Sequence, residues 1–106
     1  MSELLIRKSK NKVWRTVNIT AINDNNLSWR AKGIFYYLTT RPENWKIRMS
    51  DLINRSLEGR DAIYKALNEL EENKYIYRYQ EKENGKFSRT IYVVFDSNED
   101  YEEVIP

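Results

Sequence analysis

Arg60, Tyr64 and Asn68 recur at every fourth position with Lys65 beside them, which on a helix gathers a guanidinium, a phenol, an amide and an ammonium on one side. These are groups that meet nucleic acid. Arg can bind guanine through two acceptors, Asn can pair with adenine, and Lys brings a positive charge to a phosphate. A second set, Lys82, Lys86 and Arg89, surrounds Asn84-Gly85 and supplies three cations suited to phosphates or to a minor groove. Arg55 and Ser56, just ahead of the helix, join these as candidate DNA contacts. Each has a plainer reading, because an exposed helix face is ordinarily polar and a soluble hairpin wants charge at its tip. The case rests on the set. Asp61 suits the positive end of a helix better than it suits cytosine.

Other chemistries find little support. The chain has no cysteine and no histidine, which removes thiolate nucleophiles, disulfides, the usual zinc ligand sets and any Ser-His-Asp arrangement. Its three glycines, at 33, 59 and 85, form no phosphate-binding loop. Glu69, Glu71 and Glu72 do not converge on one point as a magnesium site would require. Eight tyrosines suggest either a stacking platform for single strands or, in preference, cross-strand packing. The expectation is a non-enzymatic protein without cofactor or metal.

The elements that position these residues follow from periodicity. Ile63, Ala66, Leu67 and Leu70 repeat at i, i+3, i+4, i+7 and predict a helix from about Gly59 to Asn73 with the polar set on its other side. Its first half is basic and polar, and its last turns carry Glu69, Glu71 and Glu72. A shorter helix, from about Ser50 to Arg55 with Leu52 and Ile53 inward, precedes it across the turn Ser56-Leu57-Glu58-Gly59. After Lys74 the period becomes two, with Tyr75, Tyr77 and Tyr79 pointing one way. Asn84-Gly85 is a hairpin signal because both central positions of the favoured turn need positive φ. A two-residue turn sets Glu83 opposite Lys86, Lys82 opposite Phe87, Tyr77 opposite Tyr92 and Ile76 opposite Val93, with the return strand running from Phe87 to Phe95.

Upstream, Ser28 is placed to start a first helix whose stripe is Leu27, Ala31, Ile34 and Leu38, and Pro42 ends the pattern. Gly33 in its middle predicts close approach of another element. Trp45-Lys46-Ile47-Arg48 fits a small third strand. Leu4-Leu5-Ile6-Arg7 and Val13 to Ile19 read as strand segments, made basic by Lys8, Lys10, Lys12 and Arg15. Helix, turn, helix and hairpin in this order predict an α+β winged helix-turn-helix: three helices, a C-terminal β-hairpin wing and an N-terminal basic strand-like arm.

At 106 residues and 41% hydrophobic content, the chain suits one compact core, divided as arm 1–19, winged-helix domain 20–95 and acidic tail 96–106. No apolar run suggests a membrane span or a signal peptide, so a soluble cytoplasmic protein is expected. The net charge of +2 is unevenly distributed. The last eleven residues hold Asp96, Glu99, Asp100, Glu102 and Glu103 and no Lys or Arg, so the first 95 carry 18 cations against 11 acids, or +7. A body so charged attracts phosphates, and the tail either repels them or folds back over the basic surface; ordinary solvated charge explains both equally well.

The segments Asn26-Leu27-Ser28-Trp29-Arg30-Ala31-Lys32-Gly33-Ile34, Arg41-Pro42-Glu43-Asn44-Trp45, Gly59-Arg60-Asp61, Ala66-Leu67-Asn68-Glu69-Leu70-Glu71 and Tyr75-Ile76 resemble the winged-helix domain of phage and plasmid replication proteins. These are the replisome organisers and DnaD-like initiators of Gram-positive bacteria and their mobile elements. The resemblance covers most of residues 13 to 95. It implies double-stranded DNA binding through the third helix (Arg60, Tyr64, Lys65, Asn68) and the wing (Lys82, Lys86, Arg89). Such initiators usually continue into a second domain that engages the helicase-loading machinery. This sequence ends in an acidic tail, which as a whole chain fits a stand-alone regulator, of replication or of transcription, or an accessory protein. A homodimer is expected from the small size and the arm, whose segments could pair with a second chain. The alternative is a module that binds a replication or host protein through Tyr64, the tyrosine strand or the tail.

Overall fold

The computed structural model of the chain describes residues 3, 15–42 and 48–100. Among them lie three α-helices and one antiparallel hairpin, an α+β arrangement compatible with a winged helix. The expected strand at 4–7, the start of the one at 13–19, and most of the small strand ending at Arg48 lie outside the described residues.

Helix α1 spans Trp29–Thr39, and Ser28 begins it with extended backbone and an Oγ that accepts from the Ala31 amide at 3.1 Å. Its buried residues are Ala31, Lys32, Phe35 and Leu38, with Leu27 just ahead. The stripe therefore centres on Phe35, and the expected Ile34 is only half-buried at its margin. Steps of four, four and three from Leu27 track the 3.6-residue turn along this line, and Ile34 lies about 100° round from Phe35. Gly33 does not meet the close approach expected of it. A Cβ there would meet nothing within 4 Å, so no element approaches it among the described residues.

Helix α2, Met49–Asn54, buries Leu52 and half-buries Ile53; the Arg48 amide donates to Asp51 Oδ2 at 3.3 Å. Helix α3, Arg60–Glu72, buries Ile63, Ala66, Leu67 and Leu70, as its period requires, and packs on α1, α2 and the hairpin. Its end is a Schellman turn. Lys74 takes a left-handed φ of 68°, its amide donates to the Glu71 carbonyl at 3.1 Å, and that of Tyr75 donates to the Leu70 carbonyl at 2.9 Å. Leu70 and Tyr75, the positions at which such a turn places an apolar pair, are both fully buried in the core.

Strand β1, Ile76–Glu83, pairs antiparallel with β2, Lys86–Val94, through Asn84 (φ 54°) and Gly85 (φ 79°), the two positive-φ positions that the sequence predicts. Glu83 faces Lys86 and Lys82 faces Phe87 as expected. Beyond them Glu81 pairs with Arg89, so Ser88 is an extra residue, and the base of the hairpin shifts: Tyr77 faces Val93 and Ile76 faces Val94, not Tyr92 and Val93. The core requires this shift, because Ile76, Tyr92 and Val94 must share one face to pack under the helices.

Tyr75 lies just before β1 and is the largest fully buried side chain. It meets Phe35 edge-on at 5.1 Å and donates its hydroxyl to Asp24 Oδ2 at 2.7 Å. Burial, reinforced by that hydrogen bond and the Asp24 charge, pushes its phenol well above the ordinary range. Residues 15–19 are not strand, contrary to expectation. Their polar groups turn elsewhere: Asn18 Oδ1 accepts from the Thr20 amide at 2.8 Å and its carbonyl accepts from the Tyr36 hydroxyl at 2.7 Å. Ile19 is left exposed. None of the helices is long and apolar enough to cross a membrane, among the described residues.

Candidate nucleic-acid interface

Arg60, Asp61, Tyr64, Lys65, Asn68 and Glu72 of helix α3 are all exposed; Asp61, Tyr64, Lys65, Asn68 and Glu72 lie round from the buried stripe, and Arg60, in the first turn, lies at its margin in line with Tyr64. The expected readers Arg60, Tyr64, Lys65 and Asn68 are therefore brought onto one surface. Tyr64 is 36% exposed, enough for its ring edge and hydroxyl to reach a partner. Gly59 begins the helix without a side-chain cap, and Asp61 sits in the first turn, where a carboxylate is favoured by the helix dipole.

The acids of the last turns are arranged in a way that the sequence does not reveal. Glu69 turns back to α1, accepting from both the amide and the hydroxyl of Ser28. Glu71 pairs with Arg78 of β1 at 3.3 Å. Glu72 alone of the three is exposed. The acidic second half of α3 is thus largely spent on internal contacts, and Arg78 with it.

The wing does not gather its three cations. Side chains alternate along β1, so Lys82 shares a face with Ile76 and with Arg78, which reaches α3 through Glu71. Lys86 and Arg89 lie at register positions on the other face, directly opposite Glu83 and Glu81. Only Lys82 of the set is on the helix side. Its Nζ stands 5.2 Å from the centroid of Phe87, a ring that sequence reasoning passed over. The signal was present as a lone aromatic between wing cations, but its exposure and face depend on the bulge.

Arg55 and Ser56 are exposed but belong to a different surface. Ser56 Oγ accepts from the Glu58 amide at 3.1 Å and shapes the turn between α2 and α3. Both residues line a groove of about 330 Å³ with Trp29, Gly33, Tyr37 and Leu52. The Arg30–Glu58 ion pair, 3.0 Å, joins α1 to this turn, and Leu57 on the turn is fully exposed.

Geometry bears on two further expectations. A three-ring tyrosine platform does not form, because Tyr75 is in the core while Tyr77 and Tyr79 stack on each other with centroids 5.9 Å apart. Of the acidic tail, residues 96–100 lie away from the basic end of α3, and residues 101–106 lie outside the described residues. Ser97 is buried, and Asn98 donates to the Asn73 carbonyl at 3.3 Å, at the opposite end of a 13-residue helix.

Compared with known proteins, the chain matches no family model, no curated protein and no solved structure.

Proposed function

We propose that this is a winged-helix protein that binds double-stranded DNA, with α3 entering the major groove and the hairpin serving as the wing. The observation that carries the reading is the exposed face of α3. Arg60, Tyr64, Lys65 and Asn68 lie together on it, while Glu69 and Glu71 are drawn away to Ser28 and Arg78. Removal of two acids from that surface lowers the repulsion that a phosphate backbone would otherwise meet. The resemblance to phage and plasmid replication proteins supports a role in replication initiation, its regulation or transcription.

Selection of bound sites from random duplexes, followed by fluorescence anisotropy across a salt series, tests the reading. Expected are an enriched sequence and an affinity that falls steeply as salt rises. Weak binding without salt dependence would overturn it.

One observation favours a second reading, a protein-interaction module. Trp29, 77% exposed, lines the α1 groove, and Leu57 is fully exposed between the groove residues Ser56 and Glu58. An apolar side chain of a replication or host protein would fit there. Loss of partner binding in Leu57→Asp with unchanged duplex affinity would support it.

A further inference from the structure

Phe87 is 66% exposed at the end of the wing, where no folding requirement puts an aromatic ring. Its neighbours are polar or charged: Lys82 across the ladder, Lys86 before it, Asn84-Gly85 at the turn. The face it occupies is set by the bulge. Phe87 is five residues from Tyr92, an odd separation that in an unbroken strand would put the two on opposite faces. The extra residue, Ser88, brings Phe87 to the face of Tyr92 and Val94, the one turned toward α3. Bulges re-aim side chains in this manner beside functional surfaces.

Phe87 pairs with Lys82, six positions along β1 from the core residue Ile76, or about 20 Å at ~3.3 Å per residue. Neighbouring major and minor grooves are about 17 Å apart along the axis, half of a ~34 Å helical turn. A hairpin of this length is long enough to span that separation.

Resting on the DNA-binding reading above, we propose that Phe87 is an apolar wedge. Its ring enters the minor groove and partly unstacks one base step, while Lys82 Nζ, already drawn to the ring, contacts a flanking phosphate. Lys86 and Arg89, at register positions on the other face of the hairpin, contribute less. The duplex is bent away from the wing, toward its major groove.

The test uses the full chain and selected duplexes carrying 2-aminopurine at successive flanking positions and end labels for energy transfer. The wild-type protein is expected to raise 2-aminopurine fluorescence at one step and to shorten the end-to-end distance. Phe87→Ala is expected to lose both signals and about tenfold in affinity, and Phe87→Leu to retain most of each. Lys82→Ala should lower the salt slope by about one, with a smaller change for Lys86→Ala. Because the ring is exposed, the fold of each variant should be unaltered by circular dichroism. Wild-type affinity and bending in Phe87→Ala would overturn the wedge and leave DNA binding standing. No duplex binding by the wild-type chain would overturn both. Loss of self-association in Phe87→Ala at unchanged duplex affinity would assign the ring to a protein contact and equally overturn the wedge.

Discussion

Glu69 of α3 holds the first turn of α1 by accepting from both the amide and the hydroxyl of Ser28, 41 residues away in the chain. Ser28 Oγ in turn accepts from the Ala31 amide at 3.1 Å, so one carboxylate fixes the cap that starts the helix. Glu69→Ala is expected to destabilise the fold by about 1 to 2 kcal/mol, less than for a buried charged bond because Ser28 is exposed. Ser28→Ala should cost about 1 kcal/mol. Urea unfolding of both single variants and the double variant checks this, and additive losses would refute the coupling.

Gly33 sits in mid-helix with open space where its Cβ would be, and its backbone is not in the left-handed region. Gly33→Ala is therefore expected to raise stability by about 1 kcal/mol, since alanine restores helix propensity and meets no neighbour. A shift of the urea midpoint to higher concentration would show it. If the groove that Gly33 lines admits a partner, Gly33→Leu should weaken that partner while leaving duplex affinity unchanged.

The parts of this arrangement that could be read in the sequence are those in which one local rule decides. Ile63, Ala66, Leu67 and Leu70 can be buried together only on a helix, and Asn84-Gly85 admits one kind of tight turn. Phe35 was missed because Ile34 and Phe35 are both apolar and only the packing against Tyr75 selects between them. The bulge was missed for a related reason. Ile91, Tyr92, Val93 and Val94 are all apolar and give no phase, so the turn sets one register, the core sets another, and Ser88 absorbs the difference. The candidate surface on α3 was legible as a face, but not its charge, because the partners of Glu69 and Glu71 come from distant segments.

Tyr75 makes stability depend on alkaline pH. Burial first, and the Asp24 carboxylate second, raise its pKa above the ordinary 10.0, so the folded state holds the proton more tightly than the unfolded one. Its contribution is complete below the unfolded value and is lost as pH rises through about 10 toward the folded value. Tyr75→Phe should cost about 1 kcal/mol at neutral pH by leaving Asp24 Oδ2 without its donor, and should flatten the decline above pH ~10. Equal slopes for the wild type and Tyr75→Phe in unfolding free energy against pH would refute the assignment.

Arg60 opens α3 at the point where a recognition helix meets base edges, exposed and one residue beyond the Gly59 cap. Arg60→Ala should weaken binding to a selected duplex by about 1 to 3 kcal/mol and lower discrimination against a scrambled one. Arg60→Lys should restore affinity for both duplexes without restoring discrimination, because an ammonium cannot make the paired bonds of a guanidinium. Glu72→Gln, which removes the exposed acid at the far end of the same helix, should strengthen both duplexes alike. Anisotropy at one fixed salt concentration measures all four proteins. A loss on Arg60→Ala that is equal for selected and scrambled duplexes would reduce Arg60 to a phosphate contact and move base readout to Asn68 or Tyr64.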